Sequence, residues 1–199
     1  MSAGPTTQSS LLLRLRDARD EEAWGHFVEV YAPLVYRYAR RRGLQDCDAG
    51  DVAQDVLRAA VRDAGNLGGI HRRGSLRSWL FTVAHHKVYD LQKARQTHAA
   101  ATGESTVLAM LNEQPAREDR AAWEREHREQ LFAWAAAQVE VECSPTAWQA
   151  FRRTAVEGQA AAAVAEELGM TVAAVYLAKS RVMARLKEKI SLWEGDEGE

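Results

Sequence analysis

The stretch VAEELGMTVAAVYLAKSRVMARL, residues 164–186, predicts two helices joined by a tight turn. Gly169 lies between two helix-forming runs and tolerates the positive φ that such a turn requires. Thr171 is placed to cap the second helix. The inward positions of that helix, taken from its 3.6-residue period, are Val175, Val182 and Leu186. The pattern is that of a helix-turn-helix, in which the second helix enters the major groove of DNA.

The outer side of this second helix combines small, aromatic and basic side chains. Small Ala173 near the helix start lets the backbone approach base edges closely. Tyr176, Ser180 and Arg181 are placed to contact bases or phosphates. An ordinary helix pair with a solvated outer side is the alternative that the pattern alone leaves open. The predicted DNA contacts in this half are Ala173, Tyr176, Lys179, Ser180, Arg181 and Arg185.

Charge is unevenly distributed along the 199 residues, although the formal net charge is only −2. Residues 66–98 hold six basic residues against one acid, and residues 145–190 hold seven against four. Residues 112–142 between them hold eight acids against four basic residues. The near-neutral total therefore conceals two basic blocks, and such local blocks favour contact with nucleic acid.

The composition is that of a folded helical chain. Hydrophobic residues make up 46% and charged residues 27% of it, which excludes general disorder. Cys47 and Cys143 lie far apart without metal-ligand spacing, and the sequence shows no signal peptide or membrane-length apolar run. We therefore expect a cytoplasmic protein that does not insert into membranes and holds neither a metal nor a cofactor.

The spacing of apolar residues predicts an all-α fold of two small helical domains joined by a flexible linker. The helix expected at residues 21–42 carries a buried stripe of Trp24, Phe27, Val28, Tyr31, Leu34, Val35 and Tyr38. The expected divisions are a disordered N-terminus at 1–9, a first helical domain at 10–96, the linker at 97–117, a helix-turn-helix domain at 118–192 and an acidic tail at 193–199.

The stretch DAGDVAQDVLRAAV, residues 48–61, predicts an amphipathic helix whose buried side carries Val52 and Val56. The polar stripe on its opposite side, at three- and four-residue steps, is Asp51, Gln54, Asp55 and Arg58. Carboxylates and an amide in one stripe can accept hydrogen bonds from arginines of a partner helix. These four residues are the predicted partner-binding face, and an ordinary solvated helix side is the alternative.

The stretch RRGSLRSWLFTVAHHKVYDLQKARQ, residues 72–96, interleaves basic and aromatic residues. That combination suits melted nucleic acid, whose bases stack on rings while cations neutralise its phosphates. Trp79 is spaced like a core residue, and His85 and His86 point in different directions on a helix, which argues against joint metal binding. The predicted DNA contacts in this half are Arg72, Arg73, Arg77, Lys87, Lys93 and Arg95.

In their order along the chain, these pieces resemble the extracytoplasmic-function (ECF) group of bacterial sigma factors. The resemblance rests on DVAQDV (51–56), GSLRSWLFTVAHHKVYD (74–90), SPTAWQAF (144–151) and AVAEELGMTVAAVYLAKSRVMARL (163–186). It extends over about Leu11 to Leu192, with the pieces in the same order and at similar spacing. The joint match is more specific than either motif alone.

The resemblance implies a dissociable subunit of RNA polymerase that directs promoter choice and has no catalytic residue of its own. Its first domain would bind the polymerase clamp through the helix matched by Asp51–Arg58 and would melt the minus-ten element. Its second domain would lay the helix matched by Val172–Lys187 in the major groove of the minus-thirty-five element. Core RNA polymerase and promoter DNA are the implied partners, and many members of the group also bind an anti-sigma factor.

The chain departs from the family pattern at several positions that commonly carry arginine. His85 and His86 stand where relatives have Arg-Asn, and the basic run at Lys93–Arg95 is thinner than usual. Ala178 and Met183 stand where many relatives have arginine. These departures are expected to reduce phosphate neutralisation and therefore promoter affinity.

Two other functions are compatible with parts of the sequence. A stand-alone helix-turn-helix regulator would need only the C-terminal motif and would bind duplex DNA without polymerase. A helical adaptor that has lost DNA binding would show no salt-dependent affinity for any promoter.

Overall fold

The protein is built from helices and short connections in the residues that its structure describes. This structure, a computed structural model, describes residues 11–17, 19–64, 76–101 and 117–194. The helices are α1 (Leu11–Arg14), α2 (Glu21–Arg41), α3 (Asp46–Arg62), α4 (Leu76–Ala101), α5 (Arg117–Glu142), α6 (Pro145–Phe151), α7 (Ala161–Glu167) and α8 (Val172–Glu194), with a π-helical turn at Arg152–Val156. No strand occurs in these ranges, so the predicted all-α class is confirmed.

The chain divides into two compact units, and the division falls inside helix α5. Ser9–Gln130 forms the first unit, and Leu131–Gly195 forms the second. The division lies after the expected start of a second domain at residue 118, because the first part of α5 packs in the first unit. Helix α4 also continues to residue 101, past the expected start of the linker at residue 97. The rest of that linker before residue 117, the N-terminus at 1–9 and tail residues 195–199 lie outside the described residues.

The core of the first unit is organised along one side of α2. The predicted positions Phe27, Tyr31, Leu34, Val35 and Tyr38 are buried. The prediction is wrong for Val28, which is 43% exposed, whereas Val30 is fully buried. Val30 lies three residues after Phe27 and four before Leu34, and this spacing places it in the middle of the buried side. Trp24 is only half-buried, and its indole N–H donates to the Asp17 carbonyl at 3.3 Å.

The second unit contains a small helix-turn-helix core. Its buried residues include Ala150, Val164, Ala165, Val175 and Ala178. Gly158 and Gly169 have φ angles of 69° and 63°, the left-handed region that favours glycine, so the predicted turn at Gly169 is confirmed. The Thr171 hydroxyl accepts a hydrogen bond of 3.1 Å from the Ala174 amide and caps α8 as predicted.

No single helix among the described residues is both long enough and apolar enough to cross a membrane. One sharply bent pair, Ala161–Glu167 with Val172–Trp193, meets those criteria by length and composition only.

Candidate nucleic-acid interface and partner-binding face

Helix α8 exposes the outer side that the sequence predicts. Its inward positions Val175, Val182 and Leu186 are buried. Its outward positions Ala173, Tyr176, Leu177, Ser180, Arg181 and Ala184 are exposed. The helix therefore separates the residues that hold it in the fold from the residues that are available to a ligand.

Two further predicted DNA contacts of α8 lie partly against the protein. Lys179 is half-buried. The Arg185 Nη1 donates to the Glu142 carbonyl at 2.8 Å and lies 3.4 Å from the Cys143 Sγ. Because the last carbonyls of a helix lack intrahelical donors, Arg185 stabilises the C-terminus of α5. The Arg185 guanidinium thus contacts the end of α5, although the residue is exposed.

Ala178 belongs to the core of the second unit. Its side chain is 8% exposed and lies in one buried cluster with Val164 and Val175. A side chain at this position points inward, so the expectation that Ala178 marks a lost phosphate contact is wrong for this chain. Met183, the other departure on this helix, is 37% exposed and does lie at the surface.

In the first unit, Arg77 is held in an ion pair with α5. Its Nε lies 2.8 Å from a Glu124 carboxylate oxygen, and its Nη1 lies 3.5 Å from the His127 Nδ1. Only 20% of the Arg77 side chain is exposed. The first part of α5 therefore screens this predicted DNA contact from solvent. Arg72 and Arg73 lie outside the described residues.

Two other predicted DNA contacts on α4 are paired with acids of α3. The Lys87 Nζ lies 3.0 Å from the Asp55 Oδ2, and Arg95 is paired with Asp48. Lys93 is exposed on the same helix. The structure thus brings a predicted DNA contact, Lys87, beside Asp55 of the predicted partner-binding face.

The four residues of the predicted partner-binding face share the polar side of α3. Asp51, Gln54 and Arg58 are exposed and Asp55 is half-buried, while Val52 and Val56 on the other side are buried. Arg58 donates to the Gln54 Oε1 at 2.6 Å and to the Asp55 Oδ1 at 3.2 Å. The hydrogen bond from Lys87 holds the pKa of Asp55 below its ordinary value. The face therefore presents an ionised Asp55 carboxylate, a group that can accept charge-assisted hydrogen bonds from a partner's arginines.

The residues that sequence reasoning missed lie on the first part of α5. Trp123 is fully buried, and its ring centroid lies 5.7 Å from that of Tyr38 and 5.5 Å from that of Phe81. His127 stacks on Tyr31 at 5.4 Å, and burial lowers the pKa of His127 to about 4. The available signal is the four-residue step between Trp123 and His127, but a step of this kind does not identify the unit against which a helix packs.

The adjacent histidines of α4 point in different directions, as predicted. His85 is 2% exposed, and its Nδ1 lies 2.9 Å from the Tyr38 hydroxyl oxygen. His86 is exposed, and Trp79 is half-buried. The departure from the family pattern at His85 is therefore a feature of core packing. Across the described ranges, no group of three or more His, Cys, Asp or Glu residues is arranged to hold a metal ion.

Part of this chain is similar to known proteins, and the similar part includes helix α3. Residues 27–97 match the family model Sigma-70 region 2, and this range contains most of α2, all of α3 and most of α4. The ECF RNA polymerase sigma factor RpoE of Cereibacter sphaeroides is 34% identical over 88 residues, which are 44% of this chain and 48% of that protein. The match thus spans about half the length of this relative.

A solved structure, that of CnrH in complex with the cytosolic domain of CnrY, aligns with 89% of this chain and 93% of its own at 20% identity and a TM-score of 0.35. The region 2 match contains the predicted partner-binding face and the paired cations of α4. Together with the similarity to RpoE, this match confirms the resemblance to ECF sigma factors, and within the first unit residues 27–97 are similar to sigma-70 region 2.

Proposed function

We propose that this protein is an ECF-type sigma factor that binds core RNA polymerase and directs promoter-specific initiation of transcription. One observation carries the proposal: a sigma-70 region 2 segment with an exposed acidic stripe precedes a helix-turn-helix with an exposed recognition helix. The protein would act in the cytoplasm, without enzymatic activity of its own and without a cofactor.

The exposed stripe on α3 supports docking to polymerase. Asp51 and Gln54 are both exposed, and they stand in the helix that, by the resemblance to ECF sigma factors, would bind the polymerase clamp. Asp55 already receives hydrogen bonds from Lys87 and Arg58, so Asp51 is the less engaged carboxylate of the stripe. We assign Asp51 to the main contact, flanked by Gln54, Asp55 and Arg58.

Promoter DNA would be bound at two places. The basic residues of α4, with Arg72 and Arg73 before them, would neutralise the melted minus-ten element. The outer side of α8 would enter the major groove of the minus-thirty-five element. An anti-sigma factor is a third expected partner, because many ECF sigma factors bind one.

The role of the predicted partner-binding face on α3 can be tested by pull-down of bacterial core RNA polymerase. Asp51→Arg is expected to abolish capture, because it places a cation against the arginines that the stripe would contact. Adding Asp55→Arg strengthens the test but also removes the acceptor of Lys87. Asp63→Arg is the matched control, since Asp63 is exposed just beyond the C-terminus of the same helix and outside the stripe.

Normal capture by a folded Asp51→Arg, Asp55→Arg variant would contradict the assigned interface. A stand-alone regulator is the other candidate, and it is distinguished by gel shift with and without core enzyme. Equal binding to promoter duplexes in both conditions would favour the regulator, whereas core-dependent binding supports the sigma factor. Absence of salt-dependent binding in either condition would indicate the adaptor.

A further inference from the structure

The outward stripe of α8 is less polar than the exposed side of a helix usually is. Leu177 is 51% exposed, and Ala173, Ser180 and Ala184 are exposed beside it. These four positions lie opposite the buried valines and leucine of the helix at three- and four-residue steps. Exposed apolar side chains that are grouped in this way usually mark a binding surface.

Two exposed cations, Arg181 and Lys187, flank this stripe. Between residues 172 and 187 the helix carries Lys179, Arg181, Arg185 and Lys187 and no acid. Arg181 and Lys187 are exposed and form no ion pair with another described residue. A row of small side chains bordered by positive charge complements a polyanion that offers apolar groups at its surface. Duplex DNA has this character, whereas a peptide helix is bound in a groove between elements and not on the convex side of one helix.

The stripe is chemically suited to one base in particular. Recognition of guanine or adenine in the major groove relies on two-point hydrogen bonding by Arg, Lys, Asn or Gln, and none of these occupies the four stripe positions. Thymine presents a C5-methyl group, which apolar side chains contact directly. Ala173 and Ala184 are short enough to allow the helix backbone to come close to that methyl group, and Leu177 projects further between them.

We infer that α8 reads thymine C5-methyl groups in the upstream promoter element, with Ala173 and Leu177 as the contacts and Arg181 and Lys187 on the phosphates. This inference rests on the proposed function, because it requires the second unit to bind duplex DNA. It assigns specificity to apolar contact, with Ser180 supplying a hydroxyl group within the stripe and Tyr176 supplying one beside it.

The test replaces thymine by deoxyuridine, which keeps every hydrogen-bonding group and removes only the methyl. A random duplex library is first enriched by the full-length protein bound to bacterial core polymerase, with core polymerase alone as the background. The enriched upstream element is then resynthesised with deoxyuridine at each thymine in turn. Removal of each methyl group that α8 contacts should raise the Kd for the duplex about fourfold.

A mutant cycle assigns the effect to this helix. In Leu177→Ala, the substitution of deoxyuridine at the contacted thymine should have little further effect, because the apolar partner is already absent. Val141→Ala is the matched control, since Val141 is an 82% exposed apolar residue of α5 in the same unit. The control protein should retain the full response to deoxyuridine.

The outcomes separate the two levels of the proposal. Selection that depends on this protein but does not respond to deoxyuridine overturns the reading of methyl groups and leaves the sigma-factor function intact. Equal deoxyuridine effects in Leu177→Ala and Val141→Ala overturn the assignment to the stripe. Enrichment by core polymerase that is unchanged by this protein contradicts the proposed function itself. Loss of a bound protein partner on Leu177→Ala, without any change in DNA selection, assigns the stripe to that partner instead.

Discussion

Helix α4 of the first unit and the outer side of helix α8 of the second unit hold their basic residues in different ways. In the first unit, Arg77, Lys87 and Arg95 are each paired with a carboxylate on a neighbouring helix. In the second unit, Arg181 and Lys187 stand exposed on α8 without an ion pair to another described residue. The same residue types therefore hold helices together in the first unit, whereas these two cations of the second unit stand at the surface.

This difference shows that a basic residue in a predicted nucleic-acid segment has to be judged with the acids around it. Exposed ion pairs contribute little to stability and exchange readily for a stronger partner. A pair such as Arg77 with Glu124, which is mostly screened from solvent, is harder to exchange. Substitutions in the first unit are thus expected to change stability and binding together, whereas those on the outer side of α8 should change binding alone.

The largest expected effect comes from Trp123, which anchors the first part of α5 in the first unit. Trp123→Ala should lower the free energy of unfolding of that unit by about 3–5 kcal/mol, because it empties a fully buried site between two aromatic rings. Phe132→Ala is the control on the same helix, since Phe132 is 41% exposed. Urea unfolding of both variants measures the difference, and equal losses would break the assignment of this segment to the first unit.

The histidine contribution to the pH dependence of stability should be confined to the first unit, because residues 131–195 contain no histidine. Burial lowers the pKa of His127 to about 4, whereas an unfolded histidine titrates near ~6.5. As the pH falls from ~6.5 to 4, the unfolded state therefore takes up the proton first. The contribution to stability is present above ~6.5 and falls by up to about 3 kcal/mol by pH 4.

His127→Phe keeps a ring beside Tyr31 and removes this titration. The difference in unfolding free energy between the two proteins, measured by urea unfolding at several pH values, isolates the histidine. A difference that stays constant from pH 7 to 4 would show that His127 is not buried as a neutral group.

Substitution of Arg181, an exposed cation, and of Lys87, a paired cation, allows the two kinds of basic residue to be compared directly. Arg181→Ala should weaken binding of the upstream duplex by the holoenzyme and reduce the salt dependence of its affinity by about one unit of log–log slope. Lys87→Ala should leave duplex affinity less changed and mainly weaken strand opening, because Lys87 begins in a pair with Asp55. Fluorescence anisotropy over a salt series, with a permanganate assay for open DNA, measures both. Equal slopes for the two variants would remove the distinction between the units.

The smallest effect concerns two glycines with opposite requirements. Gly169 has a φ of 63°, so Gly169→Ala should destabilise the second unit by about 1–2 kcal/mol through backbone strain alone. Gly50 lies inside α3 with open space around its Cα, so Gly50→Ala should stabilise the first unit by about 1 kcal/mol. Thermal unfolding of the two variants should show shifts of opposite sign, and a stabilising Gly169→Ala would contradict the tight turn.

The sequence predicted the parts of the fold that depend on local chemistry. Gly169 and Thr171 marked the turn and cap of the helix-turn-helix, and the spacing from Val175 identified the buried side of α8. The polar stripe from Asp51 to Arg58 was also correctly placed on one side of its helix. In these cases one residue or one helical period fixes the geometry.

The remaining features depend on which surfaces meet, and a helical period does not contain that information. The step from Trp123 to His127 continues into Leu131 with no change of pattern, so the division inside α5 is not visible in the sequence. The pairing of Arg77 with Glu124 joins residues of two separate helices. The inward position of Ala178 depends on how α8 is turned against its neighbours.

The separation of buried and outward positions along α8 has a consequence for the evolution and the engineering of this protein. The side chains that anchor the helix and those that face a ligand are different residues, so replacement of the latter leaves the scaffold untouched. A library randomised at residues 173, 177, 180 and 184 should yield folded proteins with new sequence preferences. The sequence preference of the protein can therefore change by one substitution at a time, and the protein should remain folded after each substitution.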